Sequence, residues 1–208
     1  KDVTGVQTCA LPISIGEHRS LVRKFCFQCG LYKQGLTHDL SKYSFAELIP
    51  SIRYYQGYRS PYTREKELNG YSLGWLHHKG RNKHHWEYWW DKIDGKWQAI
   101  KMPQTYVVES ICDRIAACKV YQKEQYTQAS PLNYYLNSND EQNLHPLTAN
   151  LFERILRYIQ KNGEEDTFKR IKELLHQQKD LYKSFLPIAI YRFLFRQNQK
   201  APRSLLTY

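Results

Sequence analysis

No stretch of the chain is apolar for long enough to cross a bilayer. The longest such run, FLPIAIYRFLF over residues 185–195, is broken by Arg192 and falls short of the roughly 20 residues that a spanning helix needs. No membrane partner is expected. Cysteine is present but unorganised. Cys26 and Cys29 form a lone CxxC, with no second pair to complete a zinc site and no βαβ-like surroundings to make it a redox motif. The five cysteines read as reduced thiols packed in a cytoplasmic protein. Internal repeats and low-complexity tracts are missing, and strand-like alternation is scarce. The segment DGKWQAIKM allows at most a short hairpin. Acids are the minority, 20 against 31 Lys and Arg, for a formal charge of +11.

What is present fits one domain with a single core. The 208 residues are 41% hydrophobic and 14% aromatic, which supports globular folding. Seventeen tyrosines and five tryptophans point to aromatic packing whose polar tips reach partners. The charge is uneven. From Lys179 onward six basic residues face one acid, Asp180, so the tail supplies +5 and the body only +6. A body of that charge suits a small anionic substrate; nucleic acid is a possible partner that it does not favour. The opening KDVTGVQTCALPIS matches nothing downstream and lacks the basic start and apolar core of a secretory signal. It resembles a translated sequencing adaptor. The expected organisation is a non-native leader over 1–14, a helical domain over 15–178 and a basic helix or tail over 179–208.

Within that domain the periodicity is helical. Ile15, His18, Leu21, Val22, Phe25 and Cys29 recur at steps of three and four, which makes one inward stripe. PQTYVVESICDRIAACKVY runs from Pro103 without a breaker, and HPLTANLFERILRYIQKNG has Pro146 near its start and Gly163 as a C-cap. A further helix is predicted from Glu164 through Leu175. The expected fold is all-α.

The candidate metal ligands follow in order: His18, His38 with Asp39, His77 with His78, His84 with His85, and Asp113. Neutral imidazole and carboxylate suit manganese, iron, nickel, cobalt or zinc, as one or two ions. A carboxylate beside a ligand histidine can bridge a pair of ions, which lowers the pKa of water and clamps a transferred group. His18 lies on the apolar stripe of its helix. Asp113 shares a face with the small residues Ser110, Ala116 and Ala117, so it meets packed helices and needs a partner. Arg or His would serve as well as a metal, and buried His–Asp pairing without an ion is the competing account.

The same order resembles the HD-domain metal-dependent phosphohydrolase superfamily: a histidine on one helix, an HD pair on the next, a distant aspartate on a later one. HDLSK is similar to the HDxxK form of several branches. The resemblance implies an HD-like helical bundle with the metal site between helices. His18, His38, Asp39 and Asp113 would hold one ion, and Asp39 would bridge to a second held by the later histidines. Asp39 and Lys42 would be the catalytic pair, with Lys42 on the substrate phosphate. The glycine-rich signature of cyclic-dinucleotide phosphodiesterases is absent, which disfavours that substrate. More closely, residues from about 15 to 178 resemble the bacterial and phage unknown-function family 5662. That likeness is carried by GLTHDLSKYSFAELIPSIRYYQG, GYSLGWLHHKGRNKHHWEYW, MPQTYVVESICDRIAA and YTQASPLNYY. It implies no activity of its own.

In WLHHKGRNKHHWEYW, neighbouring histidines on a helix point about 100° apart, so one of each pair can ligate while the other packs. Gly80 and Asn82 argue against one unbroken helix across both pairs. Lys79, Arg81 and Lys83 are candidate phosphate contacts. Trp75, Trp86, Trp89 and Trp90 are core residues or stacking surfaces for a base. The expected function is a divalent-metal phosphohydrolase that acts through metal-activated water on a nucleotide or another small phosphoester. The alternatives are an HD-type di-iron oxygenase with the same ligands, or a non-enzymatic nucleic-acid-binding or phage accessory protein that uses the basic tail.

Overall fold

In a computed structural model the described residues are 4–138 and 140–185, with the backbone alone for 4–14. Two long helices form the axis of the molecule. Helix α1 (Thr4–Gln28) lies along α6 (Gln104–Gln122), and their facing stripes are largely apolar, interrupted where His18 meets Asp113. Val22, Phe25 and Cys26 on α1 meet Val108, Ile111, Cys112 and Ile115 on α6, all buried. The chain leaves α1 through Gly30 (φ 81), a left-handed turn that glycine adopts without steric cost, and Cys29 is buried in that turn. The predicted inward stripe is therefore observed. The CxxC straddles a helix end.

The C-terminal half closes the other side of α6. Helix α7 (Ser130–Asn137), α8 (Pro146–Asn162), α9 (Glu164–His176) and the short α10 (Leu181–Ser184) pack in sequence order. On α8, Leu151, Phe152, Ile155, Leu156 and Ile159 are buried at helical spacing, and Gly163 ends the helix as predicted. Helix α9 opens with Glu164, Glu165 and Asp166, acids that complement the positive end of its dipole. The domain boundary expected after Gln178 does not mark an edge of the core. Leu181 and Tyr182 are buried, the Leu181 N–H donates to Gln104 Oε1 at 2.8 Å, and the Tyr182 hydroxyl reaches the Met102 carbonyl. The rest of the expected basic tail, 186–208, lies outside the described residues.

Four short helices wrap the remaining face: α2 (Tyr32–Thr37), α3 (Phe45–Arg53), α4 (Pro61–Asn69) and α5 (Leu73–Arg81). The expected hairpin is the antiparallel pair β1 (Trp90–Ile93) and β2 (Lys96–Ala99). Among the described residues these two strands are the only sheet, so the fold is all-α. No described helix is long and apolar enough to cross a membrane.

Helix α5 is placed with care. Ser72 caps it by accepting the Trp75 N–H at 2.9 Å, and buried Glu65 on α4 accepts the Leu73 N–H at 3.1 Å and the Ser72 hydroxyl. Gly74 lets α5 approach α4, since a Cβ there would sit 2.7 Å from Tyr62 Cε1. Gly80, by contrast, has open space around it. Gly74→Ala is expected to destabilise the protein by about 1–3 kcal/mol through overpacking. Gly80→Ala should stabilise it by about 0.5–1 kcal/mol through helix propensity. Thermal unfolding of the two variants should therefore move in opposite directions; equal shifts would refute this account of the α4–α5 contact.

Candidate metal centre

Five elements converge on one buried carboxylate. Asp39 follows α2, 1% exposed, with its backbone in the left-handed region at φ 53, a conformation aspartate tolerates better than most residues. Arg19 on α1 holds the preceding turn by donating to the His38 carbonyl at 2.9 Å. Asn82, at the end of α5, donates to the His78 carbonyl at 2.8 Å and to Ser41 Oγ at 2.8 Å, which ties α5 to the turn after Asp39.

Around Asp39 the imidazoles point their Nε2 atoms inward. His38 Nε2 is 3.4 Å from Asp39 Oδ2 and 3.4 Å from Asp113 Oδ1. His78 Nε2 and His84 Nε2 each lie 3.4 Å from Asp39 Oδ1. These separations are too long for good hydrogen bonds. They match the roughly 3.4 Å edge between two donors that each sit about 2.1 Å from one tetrahedral ion. Among the described residues, His38 Nε2, Asp39 Oδ1, His84 Nε2 and His85 Nε2 are buried with no hydrogen-bond partner. Four orphaned donors in one place are costly unless a cation meets them. Grouped by proximity, they form two sets: His18, His38, Asp39 and Asp113, and Asp39, His78, His84 and His85. Asp39 belongs to both.

The outer nitrogens explain the orientation. Buried Glu109 on α6 meets His38 Nδ1 at 2.9 Å and His84 Nδ1 at 3.2 Å; buried Glu47 on α3 meets His78 Nδ1 at 2.7 Å. Each carboxylate accepts the Nδ1 proton, so Nε2 is the nitrogen left to face an ion. Glu109 also falls within ligand range of His38 and His84, but its contacts are ordinary hydrogen bonds, so it acts as their support.

Charge follows from this packing. Burial alone would raise the Asp39 pKa, yet His38, Lys42, His78 and His84 hold it well below the usual carboxylate range. Asp113 is held low in the same way, by hydrogen bonds from His18 and His38. Burial works against a charged His38, but Asp39, Asp113 and Glu109 outweigh it and push its pKa up to about 10. Burial pushes the His85 pKa well below the usual histidine range and lowers that of His18.

A cavity of about 360 Å³ opens on this cluster, with His18, Asp39, Lys42, His78, His85 and Asp113 in its wall. Lys42 Nζ is 2.7 Å from Asp39 Oδ2. Its burial disfavours the ammonium, but Asp39 and Asp113 more than compensate and keep it charged.

Seven of the eight expected metal-ligating residues are thus brought together. The exception is His77, whose Nδ1 binds Glu47 Oε1 at 2.7 Å and whose Nε2 accepts from Arg81 Nε at 2.7 Å; it braces Glu47 from outside the cluster. The expected phosphate contacts Lys79, Arg81 and Lys83 do not line the cavity. Lys83 instead lies over the Tyr88 and Tyr106 rings, and Arg81 is spent on His77. All three follow the outward side of α5 and the turn after it, whereas His78 takes the inward side. Their place in the cavity wall is taken by Arg59 and Lys66, which sequence reasoning missed. Glu47 and Glu109 were missed too. Glu109 carried a signal, since it stands one helical turn before Asp113; Glu47 carried none. Trp75 lines the cavity, and Trp86 and Trp89 pack against the core.

Residues 12–158 match the family model described as "Family of unknown function (DUF5662)". The chain belongs to DUF5662. Comparison with curated proteins and with solved structures finds no match. The match contains every residue of the two donor sets.

Since His38 holds its proton up to about pH 10 in the metal-free protein, an ion gains that nitrogen by expelling the proton. Affinity for a divalent cation should therefore rise about tenfold per pH unit between pH 6 and 8, with close to one proton released. Calorimetric titration in buffers of different ionisation enthalpy measures both; affinity independent of pH would contradict the assignment.

Proposed function

We propose that this DUF5662 protein is a divalent-metal-dependent phosphohydrolase acting on small phosphoesters. The observation that carries the reading is Asp39, a buried carboxylate flanked by two sets of inward nitrogen and oxygen donors and facing a cavity with lysine and arginine in its wall. The donor chemistry fits manganese, iron, nickel, cobalt or zinc, as one or two ions. His18, His38, Asp39 and Asp113 would hold one, and Asp39, His78, His84 and His85 the other. Bound there, such ions supply Lewis-acid charge and lower the pKa of water, which is the chemistry that phosphoester hydrolysis needs.

The chain's own residues supply the rest. Lys42 keeps an ammonium beside Asp39 at the cavity wall, where it can neutralise phosphoryl oxygens. Lys66 adds positive charge to the same wall, and Arg59 lines it with its guanidinium paired to Glu67. Glu47 and Glu109 hold the imidazoles in one tautomer, so no reorientation is required when substrate arrives. The ligand order along the chain, with its HDxxK-like turn at His38 to Lys42, supports the same reading by its resemblance to HD-domain phosphohydrolases.

Phosphate release from a panel of phosphomonoesters, nucleotides and cyclic nucleotides, assayed with each of these metals, tests the proposal. His38→Ala and Asp39→Ala should each lower turnover by at least about a hundredfold while circular dichroism shows a folded chain. Undiminished turnover in both variants would reject it. Stoichiometric iron with oxygen consumption and no phosphate release would replace it with an oxygenase.

A further inference from the structure

A second cavity, of about 530 Å³, shares Trp75, His85, Asp113, Tyr121 and Tyr134 with the first. Its size is ordinary for a small-molecule site. The far side adds Trp86, Glu87, Arg114 and Asp140. The aromatic members offer faces on which a flat ring can stack. Arg114 donates through Nη2 to Asp140 Oδ2 at 3.0 Å and lies over the Tyr134 ring at 4.8 Å, while its Nε and Nη1 are buried without a partner and offer donors to an acceptor on the ligand. Glu87 is different. It is half-buried in the cavity wall, and among the described residues no side chain donates a hydrogen bond to its carboxylate; its own backbone N–H is the donor it meets.

A carboxylate in the wall of an aromatic cavity, with most of its acceptor capacity unspent, calls for a ligand that carries donors. We infer that this second cavity receives the leaving group of the phosphoester, that the group is a nucleobase with two adjacent N–H donors, and that Glu87 is the specificity-determining residue that reads them. The inference rests on the phosphohydrolase reading for its reaction and deepens it. In that reaction the water oxygen forms a new P–O bond and the P–O bond to the nucleoside breaks. The departing oxygen takes a proton, which leaves inorganic phosphate and a nucleoside.

The chemistry selects among bases. Guanine presents N1–H and its amino group side by side, a match for the two oxygens of one carboxylate. Adenine and cytosine each set their amino group beside a ring-nitrogen acceptor, and uracil sets one N–H between two carbonyls. Those acceptors would face the carboxylate and be repelled. An ammonium ligand would also suit aromatic walls with an acid. Arg59 and Arg114 in the same wall are each paired with an acid, Glu67 and Asp140, so charge alone does not choose between the two; a guanidinium plane stacks well on a base, which favours the nucleobase.

Tryptophan-fluorescence titration of the full chain with guanosine, adenosine, cytidine, uridine and choline tests this without any turnover. Guanosine should bind at least about tenfold more tightly than the others. Glu87→Gln should bring guanosine to within about threefold of adenosine. Equal affinity for all four nucleosides, no binding, tightest binding of choline, or an undiminished guanosine preference in Glu87→Gln would overturn the inference. Should that variant fail to fold, the wild-type series alone decides. Phosphate release without any base preference would sink this inference and spare the hydrolase. Selective guanosine binding without phosphate release from any nucleotide would do the reverse.

Discussion

An ionised carboxylate taken out of water costs several kcal/mol unless charge and hydrogen bonds meet it on arrival. Asp39 is almost completely buried, yet its surroundings hold it ionised. The balance is local: Lys42 on one oxygen, imidazoles at near-equal spacing about both, and an unsatisfied lone pair left on Oδ1. Much of the architecture reads as the means of holding that arrangement. The α1–α6 pair sets His18 against Asp113, and α6 also delivers Glu109 beneath His38 and His84.

The short helices α2 to α5 serve a different purpose. Their packing is thin compared with the α1–α6–α8 core, and it is secured by specific polar contacts. Glu65 and Ser72 fix where α5 begins, Asn82 fixes where it ends, and the absent side chain of Gly74 sets its distance from Tyr62. Tyr62 in turn donates to Glu47, the acid that aims His78. A chain of small contacts thus links helix placement to the orientation of one nitrogen. Errors of an ångström there would uncouple the two donor sets.

How much of this could be read in advance depended on whether the signal was local. Helical periodicity exposed α1 and α9, and start and stop residues marked the others: Pro103 before the unbroken run of α6, Pro146 and Gly163 at the two ends of α8. The convergence of these side chains was legible from chemistry: histidines and aspartates are scarce, and an inward-facing one needs an explanation. The supporting carboxylates were not. Glu47 is one acid among many until the fold puts it against His77 and His78. Arg59 and Lys66 reach the cavity because the 54–60 turn and α4 fold over it, a tertiary fact without a sequence period. The same gap drew attention to Lys79, Arg81 and Lys83, which are near the histidines in sequence but do not line the cavity, Arg81 being bound to His77 outside the cluster. The domain edge at Gln178 failed on composition: basic residues continue while Leu181 and Tyr182 enter the core.

The central claim is that the orphaned donors around Asp39 are ligands rather than a metal-free network of His–Asp pairs. Elemental analysis of the purified protein, before and after reconstitution with manganese and removal of excess ion, tests it most directly. The account predicts at least about one tightly held divalent ion per chain, approaching two on reconstitution, and loss of both in Asp39→Asn. A metal content near zero in the folded wild-type protein, unchanged by reconstitution, would contradict it.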